Sequence, residues 1–209
     1  GRMFTIDNVD NMDTAGIAFG RLAGEFIRTK VVPELDAFRF ASYAGISGIS
    51  SATPATLSSG EEIIAALRAA TTKMDEDEVP FEDRHLFITP TLDGMIMDLD
   101  TTKSKEVLSR FTTKTLVPQT RFYTAIKLKS GKTSEEVGGY EKESSSGKDI
   151  NFMVIHKPAV IQFEKHIAPK IITPDINQDA DAYKFGYRNV GIADAYENKV
   201  AGIYLHNKE

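Results

Sequence analysis

The chain has 209 residues, enough to bury a sizeable core as one domain or two lobes. A net charge of −5 argues against a nucleic-acid groove, which needs a basic excess to neutralise phosphates. The absence of cysteine excludes disulfides and thiolate metal sites, and no run of about 18 apolar residues offers a membrane span.

The opening stretch, GRMFTIDNVDN, has no apolar core like that of a signal peptide. Phe4 and Ile6 alternate there as in a strand. Asp13 or Thr14 caps an expected helix from Ala15 to about Lys30, with Phe19, Leu22, Ala23, Phe26 and Ile27 on one side. Pro33 breaks the pattern, which resumes at Glu34, so the expectation is helix, break, helix. Gly45 to Ser59 is a loop rich in Ser, Gly and Thr. Ser59 and Glu62 form a capping box for a helix from Gly60 to about Met74. The acidic run Asp75 to Glu78 closes that helix against the dipole and is expected to stay solvated.

Arg84 to Thr89 is expected as a short buried strand, ended by Pro90. A short helix capped by Thr91 follows through Met97, and a helical turn over Lys105 to Phe111. Arg121 to Leu128 alternates as a strand. Lys129 to Asp149 is rich in Gly, Ser, Lys and Glu, and is expected to be a surface loop or hairpin tip. Asn151 to His156 and Val200 to His206 have the apolar runs of buried strands, and Lys165 to Thr173 is an extended connector.

Motifs that would carry chemistry are incomplete. Asp175, Asn177, Asp179 and Asp181 alternate oxygen ligands as a calcium loop begins, but Ala180 and Gly186 stand where Gly and Glu are needed. A polar turn explains them better. Ser130-Gly131-Lys132-Thr133 ends like a phosphate loop, yet Ile126 stands at the first glycine's place. No two of His85, His156, His166 and His206 are spaced as in a helical zinc site. Gly45-Ile46-Ser47-Gly48 lacks the spacing of a serine elbow, and a pair of acids such as Glu34 and Asp36 carries no acid–base assignment by itself. Tyr183 to Arg188 (YKFGYR) interleaves aromatic and basic residues, which strand alternation in a core or subunit contact explains.

The segments FMVIHKPAVIQ (152–162), KHIAPKIITPDINQDADAYKF (165–185) and ENKVAGIYLH (197–206) carry a family resemblance. They are joined by KVVPELDAFRF (30–40), LFITPTLDGMI (86–96) and VPQTRFYTAI (117–126). In these the chain resembles the major capsid (coat) protein of tailed bacteriophages, in a form found in prophages of Gram-positive bacteria. The resemblance implies the α+β Hong Kong phage coat-protein fold, with a spine helix, a peripheral lobe and an axial lobe. It implies a peripheral lobe with the spine helix over 1–47, an axial lobe over 48–155, and a return to the peripheral sheet over 156–209.

The family's N-terminal arm and extended loop are expected to be missing from these residues, which leaves a monomer or small oligomer. The implied function is a structural subunit that self-assembles, through hexamers and pentamers, into an icosahedral shell around double-stranded phage DNA. The implied partners are copies of itself and non-specifically packaged DNA, with room for a scaffold or maturation protease. The implied location is the virion, and the host cytoplasm during assembly. No enzyme activity, catalytic residue, cofactor or metal is implied. An encapsulin-like bacterial nanocompartment shell shares the fold and is the alternative; an enzyme with an undisplayed site, joining His156 or His166 to carboxylates, is a third reading.

Overall fold

A computed structural model of the chain describes residues 2–13, 17–99, 102–129 and 138–209. In chain order the first elements are β1 (Arg2–Asp7), α1 (Asn8–Asp13), α2 (Ile17–Phe26), a π-helical turn (Ile27–Val31) and α3 (Val32–Ala44). Then come β2 (Ser50–Ser51), α4 (Gly60–Glu76), β3 (Arg84–Ile88), α5 (Pro90–Met97), α6 (Thr102–Leu108) and β4 (Thr113–Leu116). The remaining strands are β5 (Ile126–Lys129), β6 (Gly139–Lys142), β7 (Ile150–His156), β8 (Val160–Ile172), β9 (Ala182–Ala195) and β10 (Ile203–Asn207). The chain divides into two compact units, one of residues 1–33 and 162–192, the other of 34–161 and 193–209.

The larger unit is built on a five-stranded sheet in the order β2-β10-β7-β3-β4. Its middle strand, β7, is antiparallel to both neighbours, with Val154 opposite Leu86 on β3 and Tyr204 on β10. All seven residues of β7 are buried. Successive side chains of a strand point to opposite faces, so β7 supplies two cores. Phe152 and Val154 join Ile63, Leu67 and Met74 of α4 and Leu92 and Ile96 of α5. Met153 and Ile155 join Phe40 and Tyr43 of α3, with Phe122, Ile203 and Leu205. Each large aliphatic side chain so enclosed contributes roughly 1.5–3 kcal/mol.

The helix on the first face starts as the sequence predicts. The Ser59 hydroxyl accepts the Glu62 backbone N–H at 3.3 Å. The Glu62 carboxylate reaches back to the Ser58 N–H at 2.8 Å, one residue earlier than an ideal capping box. Ile63, Leu67, Ala70 and Met74 then fall on the buried side.

The end of α4 departs from expectation. Asp75 is not simply solvated: it lies 2.7 Å from Arg84 and 3.1 Å from Arg110. Asp77 takes Lys73 at 2.6 Å and the Ser50 hydroxyl at 3.1 Å. Basic partners brought in by β3 and by the turn after α6 offset the unfavourable helix dipole, a compensation that local sequence does not display.

Other elements differ in their bounds. The helix before Met97 begins at Pro90, after Thr89, and not at Thr91; proline is pre-organised for a first helical position. The helix near Lys105 runs Thr102–Leu108. Within Arg121 to Leu128 only β5 is a regular strand, and Tyr123 makes a lone bridge to Asp149. β6, which lies within the predicted loop 129–149, pairs with β5. Residues 197–202 form a 3₁₀ turn, and the last strand starts at Ile203.

Helical structure does not stop at Pro33. The turn Ile27–Val31 widens to π geometry, with the Val32 N–H bonded to the Ile27 carbonyl, and α3 carries Pro33 as its second residue. A proline takes away one helical donor and crowds the carbonyl four residues back. A π turn just upstream is a usual way to absorb this. The expected helix start at Ala15, and Thr14 as its cap, lie outside the described residues; α1 and α2 flank them.

The smaller unit holds a three-stranded sheet in the order β1-β9-β8. β1 is antiparallel to β9, with Ile6 opposite Tyr183. The Phe19 ring of α2 packs 5.5 Å from Tyr183 and 6.1 Å from Phe185. The stretch 156–209, expected as one return to the peripheral sheet, is divided. β8 and most of β9 build the three-stranded sheet, whereas β10 completes the other sheet beside β7. The reason is burial: all five residues of Ile203–Asn207 are buried, and only a strand covered on both faces suits them.

Candidate functional site

Among the described residues, no group of three or more His, Asp or Glu side chains could hold a metal ion. Asn177, Asp179 and Asp36 take part in local structure. The Asn177 amide donates to the Ala182 carbonyl at 2.8 Å, and the Asn177 side-chain oxygen accepts from the Asp179 N–H at 3.3 Å. Asp179 is ion-paired with Lys184, which holds its carboxyl below the usual range. These bonds close the turn between β8 and β9. Asp36 pairs with Arg121 at 2.9 Å. Gly45 to Gly48 form the exit from α3, where Gly48 has φ +88° and faces Val200. Ser130 to Thr133 lie outside the described residues.

The histidines fall into separate surroundings. His85 Nδ1 lies 2.7 Å from the Thr113 hydroxyl. His206 is buried, its Nδ1 3.0 Å from the Asn151 amide nitrogen, which also donates to the Ala55 carbonyl at 2.8 Å. Because the amide nitrogen is a donor, Nδ1 of His206 is the acceptor, and the ring is neutral with its proton on Nε2. Burial lowers the His206 pKa; burial and then the Arg84 charge lower that of His156. Both imidazoles lie in the sheet, where these effects favour the uncharged ring. The side chain of His166 lies outside the described residues.

What the chain does present is exposed apolar surface on the edge of a sheet. Phe163, Ile167 and Ile171 of β8 are 59%, 53% and 57% exposed. Their spacing puts all three on one face of the strand. β8 is also an edge of its sheet, so one row of its backbone groups has no strand partner among the described residues. The expected connector from Lys165 to Thr173 covers only part of β8 and leaves out Phe163, so the row is missed. The signal available was the period of four, Phe163, Ile167, Ile171, in an extended run that also carries Glu164, Lys165 and Lys170. In the larger unit, β4 is an edge with all four residues exposed, and Phe81 protrudes at 73% exposure. The turn carrying it is held by left-handed Glu78 and Asp83, at φ 57° and 55°.

No protein-family model matches the chain, and no curated protein matches its sequence. Solved structures do match. A chain from Mycobacterium phage Che8 is similar with a TM-score of 0.58 and 13% identity, covering 98% of this chain and 68% of that one. A virus-like particle from Pyrococcus furiosus gives 0.65 and 10% identity, covering 98% and 74%. The capsid of cyanophage P-SCSP1u gives 0.58 and 14%, covering 100% and 71%. Likeness at such identities establishes the fold: a mixed helix-and-sheet chain of the Hong Kong phage capsid type.

Proposed function

We propose that this chain is a major capsid protein, a structural subunit that self-assembles into a closed shell around double-stranded phage DNA. The observation that carries the reading is end-to-end likeness of fold: chains of two phage capsids match over 99–100% of these residues. Exposed apolar residues on the sheet edge fit a protein that works by contact with its own copies. Shells close when modest contacts repeat around symmetry axes.

In this reading, residues 1–33 and 162–192 act as the peripheral lobe and 34–161 with 193–209 as the axial lobe. The two compact units support this assignment, which differs from the expected boundaries at 47/48 and 155/156. The Gram-positive prophage origin rests on the quoted sequence segments. The partners are copies of the chain, with DNA held non-specifically in keeping with the net charge of −5, and a scaffold or protease acting during assembly in the host cytoplasm. The subunit is not an enzyme.

Electron microscopy of particles from cells making the protein, with nuclease treatment and extraction of contents, tests this. Closed shells protecting double-stranded DNA are the expected result. Shells that hold only protein cargo would overturn it.

A further inference from the structure

We propose that β8 is a self-complementary edge, through which two copies of the chain pair antiparallel about a two-fold axis at Ile167. The proposal deepens the shell-subunit reading and rests on it for the premise that the partner is another copy. What it adds is the surface, the register and the symmetry of one contact.

Three features of β8 combine. The strand is a sheet edge thirteen residues long. Phe163, Ile167 and Ile171 are exposed apolar residues on one face, with Lys165 between the first two, and span about 26 Å at 3.3 Å per residue. Beside β9, the Tyr196 N–H bonds the Ala159 carbonyl, and the Phe163 carbonyl lies against Gly191, so the backbone row 161, 163, 165, 167, 169 and 171 faces β9. The outward row is 162, 164, 166, 168, 170 and 172. It holds no proline, so an antiparallel partner meets a full set of donors and acceptors there.

The order of residues selects the occupant. Reading VIQFEKHIAPKII outward from Ile167 places Phe163 opposite Ile171, and Ile167 opposite itself. On the other face, Glu164 falls opposite the partner's Lys170, and Lys170 opposite the partner's Glu164. Glu164 and Lys170 are both exposed. Opposite charges directly across a ladder stabilise it, and like charges oppose it. A parallel pairing in register would stack Glu164 on Glu164, Lys165 on Lys165 and Lys170 on Lys170, so parallel growth is disfavoured. A slip of one residue would set the apolar row against the polar one. The two-fold contact is isologous, so it consumes both edges and stops at two.

The chain has no native cysteine, which makes cross-linking a clean test. Ile167 would face its copy at a non-hydrogen-bonded antiparallel position, where Cα atoms lie about 4.5 Å apart, within disulfide reach of roughly 4.4–6.8 Å. Under mild oxidation the Ile167→Cys variant should form a disulfide dimer at least about tenfold faster than a Phe81→Cys variant, whose site is more exposed but outside the proposed contact. Glu164→Lys should weaken association about tenfold, by turning two attractive pairs into repulsive ones. Adding Lys170→Glu should restore it. Equal cross-linking at the two sites, or no rescue by the double charge swap, would overturn the proposal. Shells that form normally while Ile167→Cys fails to cross-link would overturn the edge pairing and leave the shell reading standing. Efficient cross-linking without shells would uphold the pairing and count against the shell.

Discussion

The guanidinium of Arg84 lies 2.7 Å from the carboxylate of Asp75, with the Arg84 side chain 1% exposed and that of Asp75 40% exposed. The same guanidinium donates from Nε to the Pro80 carbonyl at 2.9 Å and from Nη2 to the Val79 carbonyl. One buried cation thus finishes α4, fixes the turn that follows and starts β3.

Replacing it should be expensive. Arg84→Leu leaves the Val79 and Pro80 carbonyls without their donor and removes the partner of Asp75. A loss of about 3–5 kcal/mol is expected, as for breaking a buried pair. Asp75→Asn should cost about 1 kcal/mol or less, because Asp75 is partly in water and Arg84 keeps its carbonyls. Urea unfolding of both variants checks this, and equal losses would contradict the account.

Acid should loosen the larger unit through His206. Its pKa is lowered by burial, so the unfolded chain takes up a proton at a higher pH than the folded one. Stability is fully present above the ordinary histidine value of 6.5 and declines as the pH falls from there toward the lowered folded value. Protonation would also set an N–H of the ring against the Asn151 amide donor. The His206→Gln variant should show a shallower decline between pH 7 and 5 in urea midpoint than the parent, and an unchanged slope would exclude the residue.

Gly60 opens α4 where another backbone comes close. A Cβ there would sit 2.4 Å from the Met95 carbonyl oxygen and 2.8 Å from Leu99. Although alanine is the better helix former, Gly60→Ala should destabilise by about 1–3 kcal/mol through this overlap. Thermal unfolding with a falling midpoint is the expected result; a rise would mean that α5 gives way freely.

Phe122 is fully buried, and its ring lies 4.8 Å from that of Phe40 in an edge-to-face contact. Phe122→Ala should cost about 3–5 kcal/mol. Phe81→Ala, at an exposed tip, should change stability by less than about 0.5 kcal/mol. Parallel denaturation curves test the contrast.

Local pattern made much of this legible. The Ser59–Glu62 cap, the apolar stripe of α4 and the runs at β3 and β7 are short-range signals, and the structure places those elements within a few residues of expectation. The misses share a cause, which is that the deciding partner is distant in sequence. Asp75 is neutralised from residues 84 and 110. β10 joins the sheet of β7 across 46 intervening residues between His156 and Ile203, which no window of the sequence reveals. Pro33 signals a disturbance, but helical geometry has a wider turn available and uses it at Ile27–Val31. The exposed row of β8 shows as a spacing, yet the expected connector takes in only Ile167 and Ile171, because strand length and edge position depend on β9.

The place of β7 sets a timetable. Until Ile203–Asn207 has left the ribosome, its central strand has β3 on one side and nothing on the other, and both apolar clusters lack their final members. A nascent chain in that state keeps its inner faces open to water or to a chaperone. The larger unit therefore closes both of its apolar clusters only after translation has passed Asn207.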